Sequence, residues 1–303
     1  MNILCTTSSF NENISLSSQY KIVKNPYKRK LTEDEIVNMI IEYQPIGMIA
    51  GVEPLTRRVL EQANTLRVVS RCGIGLDTVD TQAALELGIV VTNTPDAPTI
   101  PVAELTFGLI LNLLRGVRES DLSIQSHNWT RPMGNLLYGK SVGIVGCGRI
   151  GSYVAKLSYA FGCQVMAYDP YLTSSPICEL VSLDYLLMNS DIVTLHLPYS
   201  PDNHHIIGSV QLSKMKSDSI LVNASRGGLV DEDALFESLT SGHLKAAALD
   251  SFEEEPYHGR LIGLDNVLLT AHIGSYASEA RMMQERQSVD NLVTELLKLG
   301  LPN

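Results

Sequence analysis

Three glycines, Gly146, Gly148 and Gly151, sit where a short apolar run gives way to a helical pattern, in the stretch VGIVGCGRIG at 142–151. In a strand–turn–helix, Gly146 permits the tight bend and Gly148 lets a pyrophosphate approach the backbone. Gly151 lets the helix pack close to the sheet. The helix N-terminus then presents N–H groups and a positive dipole end to phosphates, with Arg149 and Ile150 in its first turn. The next apolar run ends on Asp169, 18 residues beyond Gly151. A carboxylate there accepts hydrogen bonds from adenosine ribose hydroxyls and repels a 2′-phosphate. Its neighbours Tyr168, Pro170 and Tyr171 bring no cation, so the predicted cofactor is NAD and not NADP. GxGxxG alone is a weak pattern that also serves only to tighten turns; the strand before it and the strand ending in Asp after it make it specific.

Other chemically capable residues fall just past predicted strand ends, where open parallel sheets bind ligands. Arg226 follows the run LVNAS (221–225), and Glu255 and His272 follow the runs ALDSF (248–252) and LTA (269–271). A further turn, Arg71 to Asp80 (RCGIGLDTVD), has glycines at 73 and 75 whose neighbouring N–H groups suit an anion nest. Taken singly, these residues have plainer readings. Arg226 reads as a surface charge, and Glu255 ends an acidic run, Glu253–Glu255, that reads as a solvated loop. The other six of the seven histidines read as structural, with His196 shaping a cofactor loop.

The elements that must hold these residues alternate strand and helix, which implies parallel sheets. Predicted strands in the first third are 2–5, 47–50, 67–71 and 89–92. Thr32 and Glu35 form a capping box for the helix between the first two. The stretch 93–101 carries three prolines and reads as a connection without regular structure; an apolar helix is predicted over 102–115. Six further strands are predicted at 141–146, 164–169, 191–195, 219–223, 246–250 and 266–270, a doubly wound dinucleotide domain. Asp231 is the predicted N-cap of a helix to 241. A final amphipathic helix over 278–299, with Met283, Arg286, Val289, Val293 and Leu296 on one face and Gly300 and Pro302 at its end, is expected to return to the first domain. The fold class is thus α/β, with two doubly wound parallel-sheet domains. A Rossmann NAD-binding domain (98–275) is inserted in a flavodoxin-like substrate-binding domain (1–97 and 276–303).

The formal net charge of −10 disfavours non-specific binding to nucleic acid or to anionic membranes, while leaving room for a local basic pocket. Five cysteines without CxxC spacing support neither a zinc site nor a disulfide framework, and fit a reducing, cytoplasmic compartment. No metal, nucleic-acid or membrane partner is expected.

Several motifs in the same order resemble the D-isomer-specific 2-hydroxyacid dehydrogenases over about 47–281. They are the GxGxD loop at 73–77, Val-Ala-Glu at 102–104, the GxGxxG, His-Leu-Pro at 196–198 and Ala-Ser-Arg-Gly-Gly at 224–228. The resemblance implies an Arg–Glu–His catalytic set on Arg226, Glu255 and His272. Physically, a histidine can take and return the hydroxyl proton, a carboxylate beside it can orient the ring, and an arginine can grip a substrate carboxylate. The resemblance also implies cofactor contacts at Ile74, Leu197, Pro198, Ala224, Ser225, Arg226, Asp250, His272 and Gly274. Substrate contacts fall on Arg71, Gly73, Ile74, Gly75, Arg226 and His272. The family's phosphoglycerate-oxidising members are the nearest match, which implies D-3-phosphoglycerate as substrate, a place in serine biosynthesis, and a homodimer. A strand-end arginine common in those members is replaced here by Ile49-Ala50-Gly51; Arg71 matches a second, and Arg57 or Arg58 are candidates to compensate. The alternatives are a hydroxypyruvate, glyoxylate or D-lactate-type reductase and, from a different class, a non-catalytic NAD-binding scaffold like the corepressors of this fold. A scaffold has no physical need for the complete Arg–Glu–His set.

Overall fold

Twelve β-strands and ten α-helices are resolved in a computed structural model that describes residues 1–10 and 19–301. In chain order they are β1 (Asn2–Cys5), β2 (Lys21–Lys24), α1 (Glu33–Tyr43), β3 (Gly47–Ala50), α2 (Arg57–Glu61), β4 (Val68–Arg71), α3 (Thr81–Glu86) and β5 (Val90–Asn93). There follow α4 (Thr99–Arg115), α5 (Val117–Gln125), β6 (Ser141–Val145), α6 (Arg149–Ala160), β7 (Gln164–Tyr168), β8 (Glu179–Leu180) and α7 (Leu183–Asn189). The chain continues with β9 (Ile192–Leu195), α8 (Ser209–Lys214), β10 (Ile220–Asn223), α9 (Glu232–Thr240), β11 (Ala246–Leu249), β12 (Val267–Leu269) and α10 (Ser278–Lys298). Two units result: one from Met1–Pro98 and Tyr276–Asn303, the other from Thr99–Ser275.

The first unit is a parallel five-stranded sheet in the order β2-β1-β3-β4-β5, the flavodoxin-like winding. Its strands read as continuous apolar runs because both faces are covered. Leu4, Met48 and Val69 pack with Ile36 and Ile40 of α1, while their chain neighbours Ile3, Ile49 and Val68 pack on the other face with Val289, Leu292 and Leu296 of α10. The Thr32–Glu35 capping box starts α1 as its residue types require: Glu35 N–H donates to Thr32 Oγ1 at 3.3 Å, and Thr32 N–H to Glu35 Oε2 at 2.9 Å.

The second unit is a seven-stranded parallel sheet, β12-β11-β10-β9-β6-β7-β8. Its order reverses between β6 and β9, the switch point at which doubly wound sheets open a crevice for ligands. One face buries Val145, Leu195, Leu221 and Leu249; the other packs Ile144, Ile192, Val222 and Ala248 against α4 and α6.

Three expectations need correction. The two-residue β8, and β2 in the first unit, were not legible as strands. Helix α4 starts at Thr99, inside the proline-bearing stretch. Pro101 falls in its first turn, where N–H groups have no intrahelical acceptor and proline is tolerated. The buried face of α10 is carried by Ala280, Gln284, Glu285, Ser288, Val289, Leu292 and Leu296, whereas Met283 is 58% exposed. Pro302 lies outside the described residues. Among those described, no single helix is long and apolar enough to cross a membrane.

Candidate active site

At the switch point, β6 ends in a turn whose shape depends on its glycines. Gly146 has φ +101°, a region L side chains avoid, and a Cβ there would lie 2.6 Å from Leu197 N and 2.7 Å from the His196 carbonyl carbon. The His196–Pro198 segment after β9 therefore packs directly on the turn. A Cβ on Gly151 would collide with the Gly146 carbonyl oxygen, which is the close helix–sheet contact its position predicts. Gly148 is the N-cap of α6 and supplies no side-chain cap; a Cβ there would meet open space. The first N–H groups of α6 are thus available to a pyrophosphate.

Asp169, at the end of β7, is oriented by backbone donors. Its Oδ2 accepts from Cys147 N–H at 2.8 Å and its Oδ1 from Tyr171 N–H at 2.9 Å. Each carboxylate oxygen keeps a lone pair for a ribose hydroxyl. The residues of this turn fit a dinucleotide. His196 serves packing: it is buried, Nε2 is 2.9 Å from Thr194 Oγ1, and burial pulls its pKa down to about 3, so it stays neutral.

The ends of β10, β11 and β12 carry the other polar cluster. His272 Nδ1 lies 3.0 Å from both oxygens of Glu255. The two side chains are 42% and 38% exposed, so a substrate can reach them. His272 has φ +54°, an uncommon backbone state for a residue with a side chain. Asp250 imposes it. This carboxylate, only 1% exposed, accepts from Thr270 Oγ1 at 2.6 Å, Ile273 N–H at 2.8 Å and Gly274 N–H at 2.8 Å, and so grips the loop on both sides of the histidine. The acidic run after β11 divides its work: Glu253 pairs with His205 at 2.6 Å, and Glu255 turns to His272 while accepting from Phe252 N–H at 3.1 Å.

Arg226 leaves β10 on a loop fixed at several points. Asn223 Nδ2 donates to the Arg226 carbonyl at 2.8 Å, Ser225 Oγ to the Leu197 carbonyl at 2.6 Å, and Arg226 Nη1 to the Ser225 carbonyl at 2.9 Å. Ala224 is nearly buried between these anchors. A Cβ on Gly227 would collide with backbone atoms of Phe252 and Glu253, so the Arg226 loop lies directly on the loop that carries Glu255.

In the first unit, the turn after β4 is anchored by β5 and the residue beyond it. Gly73 N–H donates to Thr94 Oγ1 at 2.8 Å, and Asn93 Nδ2 donates to the Ile74 carbonyl at 2.7 Å. Arg71 is 8% exposed and its Nη1 donates to the Cys72 carbonyl. Arg57 and Arg58 lie on the surface, Arg57 paired with Glu86 at 2.8 Å and Arg58 with Glu33 and Asp34. Beyond β3, sequence reasoning missed Glu53. It is 2% exposed, accepts from Gly51 N–H at 2.7 Å, and hydrogen-bonds Thr6. A lone acidic residue after a strand gives no sign of burial; the clamp role of Asp250 was likewise invisible, although an aspartate ending one strand opposite a Thr-x-His-x-Gly turn after the next is a pattern that can be sought.

The chain has relatives among known proteins. The family model described as "D-isomer specific 2-hydroxyacid dehydrogenase, NAD binding domain" matches residues 107–274. A D-3-phosphoglycerate dehydrogenase of Methanocaldococcus jannaschii is 42% identical over 276 residues, covering 88% of this chain and 52% of the relative. The chain thus spans about half the length of the phosphoglycerate dehydrogenases it matches. A hydroxypyruvate reductase of Thermotoga maritima is 39% identical over 88% of this chain and 89% of its own length. The structure of an Aquifex aeolicus D-lactate dehydrogenase, complexed with NAD and lactic acid, superposes with a TM-score of 0.82 at 28% identity, covering 98% of this chain and 96% of that one. The seven-stranded unit is the family's NAD-binding domain, and the chain belongs to the D-isomer-specific 2-hydroxyacid dehydrogenase family.

Proposed function

We propose that this chain is an NAD-dependent oxidoreductase acting at the CH–OH group of a small D-2-hydroxy acid, with Arg226, Glu255 and His272 as its catalytic residues. The observation that carries this reading is the His272–Glu255 pair, with Nδ1 held 3.0 Å from both carboxylate oxygens on a loop clamped by Asp250. Bound NAD supplies the hydride acceptor. With its Nδ1 turned to Glu255, His272 directs Nε2 at the substrate. It takes the hydroxyl proton in oxidation and returns it in reduction, and Glu255 stabilises the imidazolium. Arg226 grips the substrate carboxylate and polarises the developing carbonyl oxygen. Asp169 selects NAD.

For the substrate, motif order and the phosphoglycerate dehydrogenases among the relatives favour D-3-phosphoglycerate, oxidised to 3-phosphohydroxypyruvate, a step of serine biosynthesis. A second reading, reduction of hydroxypyruvate or glyoxylate, is favoured by Glu53. Its buried carboxylate stands after β3, where a phosphate would need a cation, and Ala50 at that strand end pairs in register with Arg71. A steady-state screen of 2-oxo acids, with and without phosphate and with NADH against NADPH, separates the two. Turnover confined to 3-phosphohydroxypyruvate supports the first reading. Preference for hydroxypyruvate supports the second, and equal use of NADPH refutes the role given to Asp169.

Assembly as a homodimer is part of this proposal. Helix α5 has no buried residue, and Leu122, Ile124, Trp129, Met133 and Leu136 are 50–96% exposed on α5 and the segment after it. So much exposed apolar surface suits a second copy. Light scattering should give a dimer mass that falls by half in Trp129→Asp/Met133→Asp; a wild-type monomer refutes it. A cytoplasmic location belongs to the same proposal and rests on five cysteines without CxxC spacing.

A further inference from the structure

Cys147 occupies the middle of the GxGxxG turn, between Gly146 and Gly148, and its side chain is buried in the core beside α4 and α6. There it meets Cys178, which immediately precedes β8. The two sulfurs are 3.5 Å apart and both residues are buried, at 4% and 7% exposure. Ser175 lies beside both, with Oγ 3.7 Å from Cys147 Sγ and 4.0 Å from Cys178 Sγ.

We propose that Cys147 and Cys178 form a reversible disulfide that couples the nucleotide-binding turn to the oxidation state of the surroundings. A disulfide has its sulfurs about 2.05 Å apart, so closure requires a movement of about 1.5 Å. The chain around Cys147 cannot absorb that movement evenly. Gly146 is backed by the His196–Leu197 backbone, and Gly151 by the Gly146 carbonyl. The share of the displacement taken on this side therefore falls on Cys147, on the exposed Gly148 and Arg149 beyond it, and on Asp169, whose Oδ2 holds Cys147 N–H at 2.8 Å. These are the groups that meet the pyrophosphate and the ribose, so the oxidised form binds NAD more weakly.

A peroxide balances the chemistry. Burial pushes the Cys178 thiol up, so Cys178 enters as the protonated second partner. The Cys147 sulfur attacks one peroxide oxygen, the O–O bond breaks, and water leaves a sulfenic acid. The Cys178 sulfur then attacks that sulfur; the S–S bond forms, the S–O bond breaks, and the departing oxygen takes the Cys178 proton as a second water. Two thiols lose two electrons to the O–O bond. Thiol reductants reverse the link by exchange.

The test is to treat the full chain with hydrogen peroxide, map its peptides by mass spectrometry and titrate NAD by fluorescence. The expected result is a Cys147–Cys178 cross-linked peptide with NAD affinity lowered at least about tenfold, restored by dithiothreitol. Cys178→Ser should form no such link and keep its affinity through the same treatment, with Cys178→Ala as the substitute if the serine variant is unstable. Absence of the cross-linked peptide overturns the proposal. So does a cross-link that leaves NAD affinity unchanged, or an equal loss of affinity in the Cys178 variant. Because the effect on binding rests on the assignment of NAD to this turn, reduced wild-type protein is titrated first. Failure to bind there counts against the cofactor assignment, while the peptide map still scores the disulfide.

Discussion

His272→Asn should lower turnover by about 10²–10⁴-fold, the usual contribution of a positioned general acid–base, with NAD affinity within about twofold of wild type. Asparagine is the informative replacement because it tolerates the left-handed backbone that Asp250 imposes at this position, where φ is +54°. The loop keeps its shape, and the change is confined to the loss of the imidazole. Glu255→Gln should cost less, since the neutral amide can still orient the ring while giving up the charge that stabilises the imidazolium. A drop in kcat with KM little changed identifies a group used in the transition state; a rise in KM alone would instead assign His272 to substrate binding. Retained turnover in His272→Asn would falsify the assignment of the base.

How much of this was legible in the sequence depended on how local the constraint was. The Gly146–Gly151 turn, Asp169 and the Thr32–Glu35 capping box are short-range requirements. Each residue is needed for a contact a few positions away or one strand over, and all were found in place. The face of α10 failed for the opposite reason. Gln284, Glu285 and Ser288 are buried in a local polar network that hydropathy reads as solvent side: Arg281 bonds Gln284 Oε1 at 3.3 Å and Glu285 Oε1 at 3.1 Å, and Ser288 Oγ donates to the Glu285 carbonyl at 2.7 Å. The apolar pattern alone then rotates the helix toward Met283. The proximity of Glu255 and His272 was reached only through the resemblance, since no periodicity links residues 17 positions apart on two loops. The Asp250 clamp and the buried Glu53 depend on strand neighbours far apart in sequence, which a single chain does not display.

The second large effect is structural, and it tests the site from the side of packing. In Gly227→Ala the new methyl would overlap the carbonyl carbon and oxygen of Phe252 and the nitrogen of Glu253. These are backbone atoms, which cannot rotate aside as a side chain can. Overpacking a close-packed interior costs about 1–3 kcal/mol and at times more, and with no rotamer escape the expected loss is at the upper end, about 3 kcal/mol, seen as a lowered Tm and denaturation midpoint. Activity should suffer beyond the stability change. The collision wedges apart two loops, one carrying Arg226 and the other running from Phe252 through Glu255 to the hydrogen bonds with His272. Gly228→Ala is the internal control: its methyl would meet Tyr199 Cε2 at 2.7 Å, the outer edge of a side chain that can swing away. A folded Gly227→Ala protein should therefore show a kcat/KM at least about tenfold below that of Gly228→Ala at a temperature where both are native. Equal kinetics in the two variants would mean that contact between these loops does not set the position of Arg226 relative to the histidine–glutamate pair.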